Sequence, residues 1–179
     1  MYELERKARV RDRESAIAQV LAAGGTLLSE VEQTDRIFVP PATDITAPGP
    51  ATTVLRVRVQ GEVATFTFKR HRTSESDREE LELEISSPEA MSKILLGLGF
   101  EPVVTVRKRR TTLRLAEFTV CVDDVEHLGT FVEVELLLAD PPSTVDFGRL
   151  DRFFASFTDG EPVHKSYDRL LLEAGCRDA

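Results

Sequence analysis

A chain of 179 residues that is 41% hydrophobic and 30% charged has the composition of a globular domain and the length to bury a core, which excludes a disordered or fibrous protein. Its net charge of −8 argues against general nucleic-acid binding, because that attraction needs a basic surface. With no signal peptide and no apolar run long enough to cross a bilayer, a single cytoplasmic domain over residues 1–179 is expected, with neither nucleic acid nor membrane as partner.

The first stretch, Glu3-Leu4-Glu5-Arg6-Lys7, reads as a strand on which Glu3, Glu5 and Lys7 share one face, while Tyr2, Leu4, Ala8 and Val10 mostly take the other. Two carboxylates beside an ammonium suit a divalent cation next to a phosphate. The same pattern also describes a solvated strand edge. Asp12 can cap a helix with Glu14 in its first turn and an apolar stripe of Ile17, Val20 and Leu21, ending at Gly24-Gly25. Thr26 to Val39 reads as a long strand carrying Gln33, Asp35 and Phe38 toward an irregular loop, Pro40 to Pro50, which either covers a site or is a plain surface connection.

Thr53 to Gln60 and Glu62 to Arg70 form a hairpin across Gly61. His71 to Asp77 is a polar turn and Arg78 to Ser86 an acidic strand. Pro88 to Leu98 is a helix with proline in its first turn and Gly99 just past its end. Glu101 to Arg110 and Thr111 to Val122 read as a long hairpin, and Phe131 to Leu138 as the last strand. Helices are expected over Val145 to Phe157 and Ser166 to Ala174.

Several of these strands repeat the design of the first. Leu55-Arg56-Val57-Arg58-Val59 alternates apolar residues with arginine, and Thr65-Phe66-Thr67-Phe68-Lys69 alternates Thr with Phe before a lysine. Leu81-Glu82-Leu83-Glu84-Ile85 and Phe131-Val132-Glu133-Val134-Glu135-Leu136 carry acids, and Val106-Arg107-Lys108-Arg109-Arg110 carries bases. One charged face is the wet side of a sheet. Acids and bases on so many separate strands make sense if those faces line the inside of a closed barrel.

In order and spacing, the E-x-E-x-K start, the L-R-x-R strand, the T-x-K strand, the K-x-R strand and the late E-x-E strand resemble the CYTH superfamily, the triphosphate tunnel metalloenzymes. The resemblance runs from Tyr2 to about Leu172. The stretch Cys121 to Glu135, and Glu32-Gln33-Thr34-Asp35-Arg36-Ile37-Phe38, look most like the class IV adenylyl cyclase branch, although Ile37 stands where an aromatic residue is expected. The resemblance implies an α+β fold, an eight-stranded antiparallel closed β-barrel with helices packed outside. It also implies conversion of ATP to cyclic AMP and pyrophosphate, or hydrolysis of inorganic, thiamine or nucleoside triphosphate on the same residues. A non-catalytic polyphosphate-binding module is the third reading, and the carboxylate pairs at both ends argue against it.

Carried onto this chain, the resemblance implies Glu3, Glu5, Glu133 and Glu135 as ligands of Mg²⁺ or Mn²⁺, since hard cations take oxygen donors. Lys7, Arg56, Arg58, Lys69, Lys108 and Arg110 are the expected triphosphate clamp, arginine forks holding phosphate bidentately and lysines acting as point charges. Glu5, Lys7 and Asp123 are the expected catalytic group, Asp123 acting through a metal-bound water or by orienting a base. Glu82 and Glu84 would balance the arginines. Arg107 and Arg109 have the opposite parity to Lys108 and Arg110 and are expected to face away. Relatives suggest a homodimer, and no motif marks the residues that would read a nucleobase.

The remaining chemistry-bearing residues form no constellation. His71, His127 and His164 lack metal-ligand spacing, and Cys121 and Cys176 lack disulfide spacing. Only five lysines accompany 18 arginines. An acidic, lysine-poor chain fits a halophilic composition, in which carboxylates keep the surface hydrated; a GC-rich genome makes the same exchange of lysine for arginine.

Overall fold

The computed structural model describes residues 2–49, 51–74, 77–158 and 160–178, with residues 71–74 and 77–78 described by backbone alone. Over these residues it is an α+β fold with an eight-stranded antiparallel sheet and four helices. In chain order these are β1 (Tyr2–Arg9), α1 (Arg13–Ala22), β2 (Thr26–Val39), β3 (Thr53–Gln60), β4 (Val63–Ser74), β5 (Asp77–Glu84), α2 (Pro88–Gly97), β6 (Glu101–Leu115), β7 (Phe118–Val125), β8 (Gly129–Leu138), α3 (Thr144–Ala155) and α4 (Tyr167–Glu173). The strand order is β1-β8-β7-β6-β2-β3-β4-β5. Over the described residues that order has two ends, so their pairing supplies the expected eight strands without showing the closure that the resemblance implies.

The chain forms two compact units: one comprises the residues up to Val31 with Lys108–Lys165, the other Glu32–Arg107 with the residues from Ser166 on. In the first, the alternation of β1, β7 and β8 sends Leu4, Ala8, Val120, Val122, Val132, Val134 and Leu136 to one side, where Ala16 and Val20 of α1 and Leu150 and Phe154 of α3 cover them. Burying each of these larger side chains is worth about 1.5–3 kcal/mol. Phe153 of α3 stacks on Phe118 with ring centroids 3.8 Å apart. In the second unit Phe38, Leu55 and Val57 pack under Leu95 of α2, with Phe66, Phe68, Ile85, Met91 and Phe100 around them.

Local chemistry fixes the helix ends. The Asp12 carboxylate accepts from the Ser15 amide at 2.7 Å and starts α1. Just past that helix Gly25 runs so close to Val20 that a Cβ would meet its Cγ1 at 2.7 Å and its carbonyl oxygen at 2.8 Å, which only glycine avoids. Ser87 caps α2 with Pro88 in the first turn, and Ser143 with Asp146 forms a reciprocal capping box on α3. The proline-rich loop after β2 is anchored, since Ile45 is buried and the Thr46 carbonyl accepts from Arg169 of α4 at 3.0 Å.

Two expectations change. The hairpin does not turn between Arg110 and Thr111; β6 continues to Leu115 and pairs Leu115 with Phe118. Thr111, Thr112 and Leu113 are good strand residues, and the reversal falls at Ala116–Glu117, where Ala116 takes φ 53°. Glycine or asparagine usually marks such a turn, and neither stands there. The polar stretch from His71 to Asp77 is also not simply a turn, because β4 runs to Ser74 and β5 starts at Asp77, with His71 paired to Arg78 and Ser74 to Asp77. Backbone pairing needs no apolar side chain, so a polar run can extend a hairpin. Glu75 and Ser76 lie outside the described residues.

Candidate active site

Strand parity gives each unit a charged face opposite its apolar one. In the first unit, register puts Glu5 opposite Glu135, Lys7 opposite Glu133 and Glu3 opposite Leu137. Cys121 of β7 lies opposite Glu133 and Thr119 opposite Glu135, and Arg110 of β6 lies opposite Asp123. This face gathers Glu3, Glu5, Lys7, Lys108, Arg110, Asp123, Glu133 and Glu135, all of them on the sequence-derived roster. On the helix-covered side, Arg109 instead pairs with Glu30 at 2.5 Å, and Glu30 is also held by Arg13 of α1.

Asp123 is fully buried, and its two oxygens accept from Arg110 Nε and Nη2 at 2.7 and 2.5 Å. Lys108 Nζ donates to the same carboxylate at 3.2 Å. Burial alone would raise the Asp123 pKa, but the Arg110 hydrogen bonds and the two cations hold it below the ordinary value. Glu133, also buried, accepts from Arg110 and, at 3.4 Å, from Lys7 Nζ; Lys7 stands 3.7 Å from Glu5 as well. For Glu133 too, burial is overcome by the charges of Arg110, Lys108 and Lys7, and its pKa is lowered.

Glu135 behaves in the opposite way. Burial first, then the charges of Glu3, Glu133 and Glu5, push its pKa up to about 7 against the weaker pull of Arg110, 4.0 Å away. The Cys121 thiol donates to Glu135 at 3.9 Å; burial and the surrounding carboxylates raise its pKa to about 12, so it stays protonated.

In the second unit Arg58 forms a two-pronged pair with Asp35, both contacts 2.6 Å. Arg56 Nη2 donates to Thr67 at 3.1 Å and to Glu82 at 3.2 Å, while the Thr67 hydroxyl donates to Glu82 at 2.7 Å. Lys69 pairs with Glu80 at 3.0 Å, and Glu84 lies exposed opposite Thr65. Burial, then the neighbouring Arg58, lowers the Arg56 pKa against the pull of Asp35, Glu80 and Glu82. The guanidinium is thus under electrostatic pressure that an added anion would relieve.

The CYTH domain model matches residues 1–150 of this chain. The chain belongs to the CYTH domain family. A Methanocaldococcus jannaschii protein, provisionally named an adenylate cyclase, is 30% identical over 142 residues, which cover 78% of this chain and 79% of that protein. Among solved structures, PH1819 from Pyrococcus horikoshii superposes with a TM-score of 0.80 at 24% identity, covering 97% of this chain and 99% of its own. A Hippeastrum protein, provisionally named an adenylyl cyclase and described with a dominant triphosphatase activity, has a TM-score of 0.69 at 18% identity, covering 97% of this chain and 95% of its own. The structural likenesses establish the fold.

The donor set of this CYTH chain fits the divalent metal that the family implies. Glu3, Glu5 and Glu135 offer only hard oxygen donors, and their mutual repulsion, read out in the raised Glu135 pKa, is what a cation would neutralise. Both oxygens of Glu133 are already engaged by Lys7 and Arg110. Among the described residues no three His, Cys, Asp or Glu side chains are grouped closely enough to hold an ion by themselves.

Sequence reasoning passed over Asp35, Thr67, Glu80 and Cys121 as site residues. Parity was the available signal for Thr67, Glu80 and Cys121, since each shares a strand face with a residue already on the roster, whereas β2 carries no roster residue to mark Asp35. What was lacking was register, which alone says that Asp35 meets Arg58 and Cys121 meets Glu133.

Proposed function

We propose that this protein is a metal-dependent enzyme acting on a triphosphate, and that its reaction is that of a class IV adenylyl cyclase, ATP to cyclic AMP and pyrophosphate. The observation that carries the proposal is the buried network of Lys7, Lys108, Arg110, Asp123 and Glu133 beside Glu135, whose pKa is about 7. Burying so many charges is costly unless a ligand uses them.

On this reading Lys7, Arg56, Arg58, Lys69, Lys108 and Arg110 bind triphosphate oxygens, the arginines by forks and the lysines as point charges. Arg58 and Arg56 are aimed by Asp35 and Thr67, and Glu80, Glu82 and Glu84 balance the cations while no anion is bound. Asp123 keeps Arg110 and Lys108 in place; its low pKa suits that orienting role. Glu3, Glu5 and Glu135 would hold Mg²⁺ or Mn²⁺, with Glu133 joining them by exchanging its present partners. When bound, such an ion supplies charge neutralisation and acidifies an oxygen nucleophile. In this reaction the ribose 3′-hydroxyl would attack the α-phosphorus, its proton passing to water, as the bond from that phosphorus to the pyrophosphate oxygen breaks, the cations taking up the charge on the leaving pyrophosphate.

A second reading is favoured by the triphosphatase activity attributed to the Hippeastrum relative: the same cations would hold the substrate while water attacks the terminal phosphorus. Incubation with ATP or inorganic triphosphate and Mg²⁺ or Mn²⁺, at low and at molar KCl, separates the two. Cyclic AMP with equimolar pyrophosphate is expected; orthophosphate alone would replace the cyclase with a triphosphatase. Glu5→Ala is expected to abolish turnover with the fold intact, and Arg56→Ala or Lys69→Ala to weaken binding as well as rate. Normal kinetics in all three would sink the assignment.

A further inference from the structure

We propose that Gln33 and Gln60 form a subsite that reads the amino-bearing edge of the substrate's nucleobase, with adenine preferred over guanine; this rests on the triphosphate reading above. The two residues face one another across β2 and β3, and Gln33 Nε2 donates to Gln60 Oε1 at 2.5 Å. Gln33 is only 5% exposed, yet its Oε1 is buried with no hydrogen-bond partner among the described residues. Buried amide oxygens are nearly always paired in native proteins, so this one marks a place for a donor from a water or a ligand.

Position favours a ligand. The next pair along the same face is Asp35 and Arg58, and the one after it is Ile37 and Arg56. Two more polar atoms on this face, Arg56 Nε and Thr65 Oγ1, are likewise buried without partners among the described residues, Thr65 lying opposite Arg58. Same-face neighbours along a strand are separated by about 7 Å, a span comparable with that from a nucleotide's first phosphate to its base. A phosphate on Arg58 therefore leaves the base within reach of the glutamine pair.

The chemistry selects the ligand edge. With its nitrogen engaged by Gln60, Gln33 presents its oxygen, an acceptor that repels phosphate oxygens. Its complement is a donor such as the exocyclic amino group of adenine. Glutamine matches that edge, where an amino donor stands beside a ring-nitrogen acceptor, whereas guanine presents a carbonyl at the equivalent place. Gln60, whose oxygen is taken by Gln33, still has an amide nitrogen to offer the ring nitrogen.

The test is calorimetric binding of ATP, GTP and inorganic triphosphate, each with Mn²⁺, to the wild type and to Gln33→Leu and Gln60→Leu, with thermal melts to verify folding. The wild type is expected to bind ATP more tightly than GTP. Gln33→Leu is expected to weaken ATP about tenfold, the effect of one lost hydrogen bond, while inorganic triphosphate, which has no base, stays within about twofold. Gln60→Leu should move the ATP-to-GTP ratio the same way and keeps the test available if Gln33→Leu does not fold. Equal losses for ATP and inorganic triphosphate, no loss for either, or a wild-type preference for GTP would overturn the subsite and leave the triphosphate reading standing. A wild type that binds none of the three would overturn both.

Discussion

Asp123 shows how one side chain sets the charge state of its surroundings. It holds Arg110 with two hydrogen bonds and Lys108 with a third, so Asp123→Ala takes a shared carboxylate away from two buried cations and leaves Arg110 to Glu133 and Glu135. Removing one partner of such a network costs about 3–5 kcal/mol, and denaturant unfolding should register a loss of that size. Glu135 offers a test with a definite sign. Its pKa lies at about 7 in the fold against an ordinary 4.5, so between those values the folded chain keeps a proton that the unfolded chain has released. Stability of the metal-free protein should therefore fall as pH rises from about 4.5 to about 7, by an amount of order 3 kcal/mol. Glu135→Gln should flatten that slope; an unchanged slope would assign it to other groups. Alternation marks the charged strand faces of this cluster, and the resemblance to the CYTH superfamily supplies the roles of its residues, Asp123 among them. Their opposite titrations were not legible, since these depend on which carboxylate meets an arginine and which meets another carboxylate.

Among the elements, α1 and its exit illustrate close approach. Gly25 lies 2.7 Å, measured from an ideal Cβ, from the Val20 Cγ1 and 3.3 Å from the Arg114 carbonyl oxygen, so Gly25→Ala must push the helix exit off β6. A loss of about 1–3 kcal/mol, typical of overpacking, is expected in thermal unfolding, and a neutral result would mean that the turn relaxes freely. The boundaries of β2, α2 and β8 were legible to within a few residues from capping residues and alternation. The β6–β7 turn was not, because Ala116 adopts a left-handed conformation with no residue there to announce it. Likewise the extension of β4 and β5 into residues 71–78 rests on backbone pairing that polar side chains do not advertise.

At the scale of the whole molecule, a net charge of −8 adds self-repulsion that salt screens. Raising KCl from about 0.1 M to about 1 M, over which the Debye length contracts from about 10 to 3 Å, should raise the thermal midpoint. A falling midpoint would mean that local pairs such as Arg13–Glu30–Arg109 outweigh the net charge. The alternating strands could be read from the chain because parity is a property of neighbours in sequence and repeats every two residues whatever the strand later meets; the family and the charged roster followed from the order and spacing of those strands along the chain. The pairing of Asp35 with Arg58, the divergence of Glu133 from Glu135 and the orphaned oxygen of Gln33 arise between residues far apart in the chain, from register and desolvation, and those exist only once the strands are side by side.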